Sequence, residues 1–130
     1  MRSAAVSVVV ALGVTSPGSA TDIENHLWES RPILIFADQN DPRLAEQLAR
    51  FGADQHELDE RNNVVIVDNE GTSALRSRFK PSSFTVVLIG KDGGEKFRSN
   101  DLVEPDTLHA LIDTMPMRRR EMRSSTSPED

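Results

Sequence analysis

Two continuous apolar runs on either side of one helical segment constrain the fold of this chain most strongly. Residues 32–37 and 64–67 are short, uninterrupted and rich in β-branched side chains, which is typical of strands buried on both faces of a sheet. Between them, Asp41 is a suitable N-cap, Pro42 fits the first helical position, and leucines recur at helical spacing up to Phe51. This succession predicts two parallel strands joined by a right-handed crossover helix.

The rest of the chain completes this unit with a hairpin and two more helices. A short helix is expected over residues 72–79 and a third strand over 84–89. An Asp-Gly turn at 92–93 then leads into an alternating strand over 95–98. A last helix begins at Pro105, and a second proline kinks or ends it. The predicted fold is α/β, a thioredoxin-like sandwich with a central mixed sheet (β-α-β-α-β-β-α) and helices on both faces.

The first residues have the pattern of a secretory signal. Arg2 supplies a positive charge, residues 4–14 are apolar, and small residues lead up to Ala20. The apolar run is too short to span a bilayer, because a membrane helix needs about 20 apolar residues. We expect a periplasmic or secreted protein with a signal peptide over residues 1–20, a domain over 21–122 and a disordered tail over 123–130.

The chain contains no cysteine and carries a net charge of −6. Without a thiolate, dithiol oxidoreductase and thiol peroxidase activities are excluded. The histidines, at positions 26, 56 and 109, match no local metal-ligand spacing, so neither a metal nor another cofactor is expected. The acidic balance argues against nucleic acid as a partner.

Four segments of the sequence resemble a known family. They are Arg31-Pro32 with the following strand, Glu60-Arg61, the stretch from Phe84 through the Gly-Lys-Asp-Gly-Gly turn, and Met-Pro-Met-Arg-Arg-Arg-Glu-Met at residues 115–122. They resemble the bacterial domain-of-unknown-function family 4174 over residues 23–122. The resemblance implies a thioredoxin-like, peroxiredoxin-related domain, similar to the repeated domain of the vertebrate matrix protein coiled-coil-domain-containing protein 80, and no established reaction.

A second resemblance concerns the position of the thioredoxin active site. After their first strand, thioredoxins carry an aromatic residue, alanine, two further residues and then Cys-Gly-Pro-Cys at the start of a helix. Residues 36–37 of this chain match the aromatic residue and alanine, and Asn-Asp-Pro-Arg follows at residues 40–43. The resemblance therefore implies that Asn40 and Arg43 stand where the redox cysteines would be.

Residues in three places are candidate binding sites. They are Asp38, Asn40, Asp41, Arg43, Phe84 and Thr85 near the helix start, Lys91, Asp92 and Lys96 at the hairpin, and Arg118 and Arg119 near the C-terminus. A helix start attracts a small anion, unless Asp41 caps its donors. The hairpin charges are either a binding group or a solvated edge, and the arginines either meet an anionic partner or neutralise a helix end. Trp28 and Phe97 are expected to pack in the core or at a sheet edge.

The order of elements, the export signal and the missing thiols predict an exported, non-catalytic binding module. Its ligand is unknown, and a protein or a small anion is the expected partner. One alternative is a cysteine-independent hydrolase or oxidoreductase whose site is the helix start. The other is a structural or self-associating domain that uses a sheet edge or the arginine-rich segment.

Overall fold

The computed structural model describes residues 20–69 and 74–126. Within those ranges the chain forms a four-stranded sheet with helices on both faces. The elements are α1 (Ala20–Asn25), β1 (Arg31–Phe36), α2 (Pro42–Gly52), α3 (Gln55–Glu60), β2 (Asn63–Asp68), α4 (Ala74–Phe79), β3 (Thr85–Ile89), β4 (Glu95–Ser99), α5 (Pro105–Ile112) and α6 (Pro116–Thr126). The predicted order of core elements is confirmed, and α1, α3 and α6 are additional.

The sheet has the strand order β2-β1-β3-β4, with β1 in a central position. β1 and β2 pair in parallel, with Ile33 opposite Val65, and β1 pairs with β3 in the antiparallel sense. β3 and β4 form the predicted hairpin. Every residue of β1 and β3 is buried, because helices cover both faces of these strands.

Alternate residues of the strands supply two separate cores. Ile33 and Ile35 lie on the face covered by α2, α3 and α5, whereas Leu34 and Phe36 lie on the face covered by α1 and α4. This division follows from the two-residue period of a strand. The continuous apolar run was therefore a correct indication of a central strand, because both sets of side chains need an apolar environment.

A buried glutamine on α2 fixes the approach to α5. Gln47 is fully buried among the apolar residues of the helix. Its Nε2 donates to the Val103 carbonyl at 2.8 Å, and its Oε1 accepts from the Val103 N–H at 2.8 Å. Both polar groups of Val103 are satisfied in this way, as buried backbone groups require. The segment that enters α5 is held against α2 as a result.

The C-terminal segment differs from the prediction. α5 ends at Ile112, and Pro116 is the first residue of α6, a position in which the backbone N–H that proline lacks is not needed. α6 continues to Thr126, so it includes residues 123–126 of the segment predicted as a tail; residues 127–130 lie outside the described residues. Ion pairs of Arg118 and Glu121, rather than an apolar stripe, attach this helix to the domain.

Trp28 is exposed, contrary to the expectation that it packs in the core or at an edge. Its side chain is 62% exposed and its φ is +66°. Trp28 lies in the turn between α1 and β1, where its N–H donates to the Lys91 carbonyl at 2.7 Å. This hydrogen bond ties the turn to the hairpin and stabilises the left-handed backbone conformation of Trp28.

Two other predictions fall partly or wholly outside the described residues. The signal peptide does so except for Ala20, the first residue of α1, so export and cleavage remain predictions. Thr72, the expected start of the helix before β3, also lies outside them, and the helix is described from Ala74. None of the described helices combines the length and apolar character that crossing a membrane requires.

Candidate functional site

The structure divides the predicted site residues between opposite ends of the sheet. Six follow or face the carboxyl end of β1, namely Asp38, Asn40, Asp41, Arg43, Phe84 and Thr85. Five lie beyond its amino end, namely Lys91, Asp92, Lys96, Arg118 and Arg119. A strand of this length spans about 20 Å, so the two groups are separate sites.

At the first end, Asp41 caps α2 and also holds Arg43. The Asp41 Oδ1 accepts from the backbone N–H of Arg43 at 2.9 Å and from its Nε at 3.1 Å. The Asp41 Oδ2 accepts from the Arg43 Nη2 at 2.9 Å. The hydrogen bond from the Arg43 side chain lowers the pKa of Asp41, and the backbone hydrogen bond adds to that effect. The charge that a small anion would need is therefore neutralised within the chain.

The residues at the start of β3, beside this cap, make their contacts within the domain. Phe84 is buried, and the Arg43 guanidinium lies 4.8 Å from the centre of its ring. The Thr85 hydroxyl accepts from the Asn100 Nδ2 at 3.0 Å, and the same amide donates to Ser82 at 2.7 Å. Asp38 and Asn40 are exposed beside this group. Among the described residues, no Ser or Thr hydroxyl here is paired with a histidine or carboxylate.

At the opposite end, Asp92 and Lys96 shape the hairpin turn. Asp92 accepts from the Gly94 N–H at 3.0 Å and from the Lys96 Nζ at 3.0 Å. The Gly94 hydrogen bond, followed by that of Lys96, lowers the pKa of Asp92. Gly93 has a φ of +85°, and a Cβ added there would lie 2.8 Å from the Leu27 Cδ2, so the turn requires glycine.

A buried arginine of β1 and a lysine of the hairpin both bind one carboxylate of α6. Arg31 is 1% exposed, and its two terminal nitrogens donate to the two Glu121 oxygens at 3.2 and 3.1 Å. Lys91 donates to the same carboxylate at 2.7 Å. Arg31 also donates to the Arg61 carbonyl at 2.9 Å. Glu121 thus connects the start of β1, the β3–β4 hairpin and the C-terminal helix.

A second carboxylate extends this arrangement. Asp113 accepts from Arg61 at 2.9 and 3.1 Å and from the Arg118 Nε at 3.1 Å. Arg118 also donates to the Glu60 carbonyl at 3.0 Å and is only 7% exposed. We call the six charged residues the ionic network: Arg31, Arg61, Lys91, Asp113, Arg118 and Glu121.

The network corrects the interpretation of the arginine-rich segment as a single charged surface. Arg118 faces inward and is paired, whereas Arg119 and Arg120 are exposed. Along a helix, residues three or four apart share a face, so neighbouring arginines point in different directions. Only the exposed arginines are available to another molecule.

Sequence analysis did not select Arg31, Arg61, Asp113 or Glu121 as site residues. All network residues except Asp113 nevertheless lie in the segments that carry the family resemblance. The available signal was therefore the set of motifs, and the structure explains it: segments far apart in sequence meet in one charged cluster.

We expect acidification to destabilise the domain through the two network carboxylates. Burial raises the pKa of Glu121, but hydrogen bonds from Arg31 and Lys91 outweigh it and hold that pKa below its ordinary value. Burial likewise raises the pKa of Asp113, and the hydrogen bonds of Arg61 and Arg118 outweigh it. Groups with lowered pKa values stabilise the fold above the ordinary carboxyl pKa of about 4, and this stability is lost as the pH falls through the lowered values.

Urea unfolding at a series of pH values between 7 and 3 measures this loss. Wild-type stability should fall steeply below about pH 4, and Glu121→Gln should show a shallower fall because one of the two groups no longer titrates. Glu24→Gln removes an exposed glutamate of α1 outside the network and is the matched control. An equal slope in wild type and Glu121→Gln would contradict the assignment.

Comparison with solved structures supports the thioredoxin-like fold. A structure of thioredoxin-2, described as a component of malaria parasite protein secretion machinery, superposes with a TM-score of 0.57 at 18% sequence identity. The alignment covers 78% of this chain and 99% of that one. At this identity the similarity concerns the fold alone, and it confirms the predicted α/β thioredoxin-like class.

Comparison with protein families identifies the chain. No curated protein matches it. The profile of the family described as Domain of unknown function (DUF4174) matches residues 22–121, a range that contains the whole sheet and every residue of the ionic network. The chain therefore belongs to the DUF4174 family, as a thioredoxin-like domain without cysteine.

Proposed function

We propose that this domain is an exported, non-catalytic module that binds an acidic segment of a partner protein. The observation that carries the proposal is the exposure of Trp28, the exposed large hydrophobic side chain of the described residues. A tryptophan that remains 62% exposed is a typical anchor for another protein surface. Export is added from the signal pattern of the first 20 residues.

The thioredoxin active-site position supports a non-catalytic role. Asn40 and Arg43 cannot form a thiolate, so they cannot exchange a disulfide. Arg43 is held by Asp41 and lies over the Phe84 ring. These contacts occupy the Arg43 guanidinium group, which carries the charge that an enzyme would direct at a substrate.

The proposed binding surface lies at the other end of the sheet. The Trp28 N–H donates to the Lys91 carbonyl, and the Lys91 Nζ donates to Glu121 of α6, so the turn and the helix share one neighbour. On α6, Met117, Arg120 and Ser124 line a shallow cleft together with Glu121. We call Trp28, Met117, Arg120 and Ser124 the Trp28–α6 surface.

The charge of this surface favours an acidic partner. Arg120 is exposed, and within the described chain its guanidinium group makes no ion pair. The chain as a whole has a net charge of −6. An acidic segment is therefore repelled by most of the molecule and attracted at this surface, which favours docking there.

Fluorescence of Trp28 tests the proposal directly, because Trp28 is the single tryptophan of the chain. Titration with a peptide of alternating Glu and Leu should shift its emission to the blue, and a Lys and Leu peptide should not. Arg120→Ala should weaken binding at least about tenfold, in line with the loss of an interface arginine. Arg43→Ala removes the same charge at the opposite end and should bind as wild type does.

Three results would contradict this placement. They are no blue shift with any acidic peptide, equal weakening by Arg120→Ala and Arg43→Ala, and binding that does not respond to salt. A blue shift that depends on protein concentration alone would identify self-association as the use of the surface. Export has a separate test: a tagged chain made in a bacterial host should begin at Thr21 by mass spectrometry, and an intact N-terminus would contradict it.

A further inference from the structure

Three potential metal ligands converge where α5 meets the start of α3. Asp106 and His109 lie one turn apart on α5 and therefore share a face of the helix. Asp54 immediately precedes α3. One oxygen from each carboxylate and one nitrogen of the imidazole all lie within 4.8 Å of one another. Sequence spacing gave no sign of this group, because Asp54 and His109 are 55 residues apart.

His109 directs one nitrogen of its buried ring at this group. Its ring is buried, with 6% exposure, and its Nε2 lies 2.6 Å from the Asp54 Oδ2. Its Nδ1 is buried and has no hydrogen-bond partner among the described residues. The two ring nitrogens of an imidazole point in different directions, so Nε2 is the nitrogen that faces the carboxylates and is placed to bind an ion between them.

Within the described chain, neither aspartate side chain makes a hydrogen bond or ion pair outside this group. Asp54 holds the N-cap position of α3, yet its side chain makes no capping hydrogen bond and turns toward His109. Asp106 is exposed in the first turn of α5. It therefore leaves the group open to solvent and provides a route for an ion to enter.

Adjustments of about an ångström would complete a metal geometry. Zinc–ligand bonds of about 2.1 Å in a tetrahedral arrangement place neighbouring ligand atoms about 3.4 Å apart. The distance of 2.6 Å between the His109 Nε2 and the Asp54 Oδ2 must lengthen by a little less than 1 Å. All separations in the group are within 4.8 Å, so none must shorten by more than about 1.4 Å. Rotation of the exposed Asp106 side chain supplies the closing movement, while Gln47 holds the segment that enters α5.

We propose that Asp54, Asp106 and His109 bind a divalent first-row transition-metal ion such as Zn²⁺, with water completing the coordination. One imidazole and two carboxylates form a mixed nitrogen and oxygen set that suits such ions. Calcium is disfavoured because it takes six to eight oxygen ligands. The inference is independent of the proposed function, since no residue of the Trp28–α6 surface takes part.

Titration of the full chain with ZnCl₂ after EDTA treatment tests the proposal. Calorimetry should give one ion per chain, and Co²⁺ should give a visible spectrum of nitrogen and oxygen ligands. Asp106→Asn should weaken Zn²⁺ binding at least about tenfold while the melting temperature in EDTA stays the same. Asp59→Asn removes an exposed carboxylate of α3, and His56→Gln removes an exposed histidine of α3; both should bind as wild type does.

The outcomes separate a metal site from a structural hydrogen bond. If His109 and Asp54 only hold α5 to the start of α3, then Asp106→Asn will not change the affinity, and the proposal fails. Equal loss in Asp106→Asn and Asp59→Asn would show general attraction of cations to an acidic surface, and that also overturns it. Loss in His56→Gln would place the ion at another residue.

Discussion

Replacing Arg31 by methionine is expected to lower the free energy of unfolding by about 3 kcal/mol. Arg31 is 1% exposed and meets both oxygens of Glu121, so the substitution leaves a partly buried carboxylate with Lys91 and the more distant Arg118, 3.8 Å away. The Arg61 carbonyl also loses its donor. Since domains are stable by only about 5–15 kcal/mol, the melting temperature should fall by about 10 °C or more.

A double-mutant cycle shows whether the pair itself is responsible. Glu121→Leu alone leaves the Arg31 charge buried without its carboxylate and should also be strongly destabilising. The double variant should be less destabilised than the sum of the two, because neither charge then remains unpaired. Arg119→Ala, an exposed arginine of the same helix, should change stability by no more than about 0.5 kcal/mol. An Arg31→Met protein as stable as wild type would refute the central position given to the network.

Replacing Gln47 by leucine is expected to destabilise the domain by about 2–4 kcal/mol. The leucine is apolar and of similar size, so the packing of α2 is largely kept. The backbone N–H and carbonyl of Val103 would both lose their partner in a buried position. Each unsatisfied buried group costs about 1–3 kcal/mol, and that sets the size of the effect.

Hydrogen exchange locates this effect in the structure. The Val103 amide should be protected in the wild type and exchange much faster in Gln47→Leu, because its acceptor is the Gln47 Oε1. Gln39→Leu changes an exposed glutamine in the same way and should leave both stability and exchange near wild type. Unchanged protection of the Val103 amide would contradict the assignment of Gln47 as the residue that holds this segment.

The strands were predictable because their signal lies within each strand. Residues 32–37 and 64–67 are continuous apolar runs, and β1 and β2 are found within one residue of those limits. Six-residue helices such as α1 and α3 are too short to show a helical period, and tertiary contacts stabilise them instead. Of the three helices that sequence analysis missed, α1 and α3 were missed for this reason.

The candidate sites were predictable only in part. Asp41 was expected as a possible cap of α2, and its side chain does accept the Arg43 N–H. Arg118 and Arg119 are adjacent and chemically identical in the sequence, yet one is buried and the other exposed. That difference depends on whether Asp113 comes within reach, and residue type carries no information about it.

Residue type and neighbouring residues were enough to predict the α/β class, the order of core elements and the exclusion of thiol chemistry, because each depends on local pattern or composition. The three-dimensional fold decided that Arg31 is buried against Glu121 and that Asp54 meets His109, across separations of 90 and 55 residues. A charge can be buried only where a partner compensates it, and that partner's distance is a property of the packed chain. For this reason the ionic network and the proposed metal site became visible only in the folded domain.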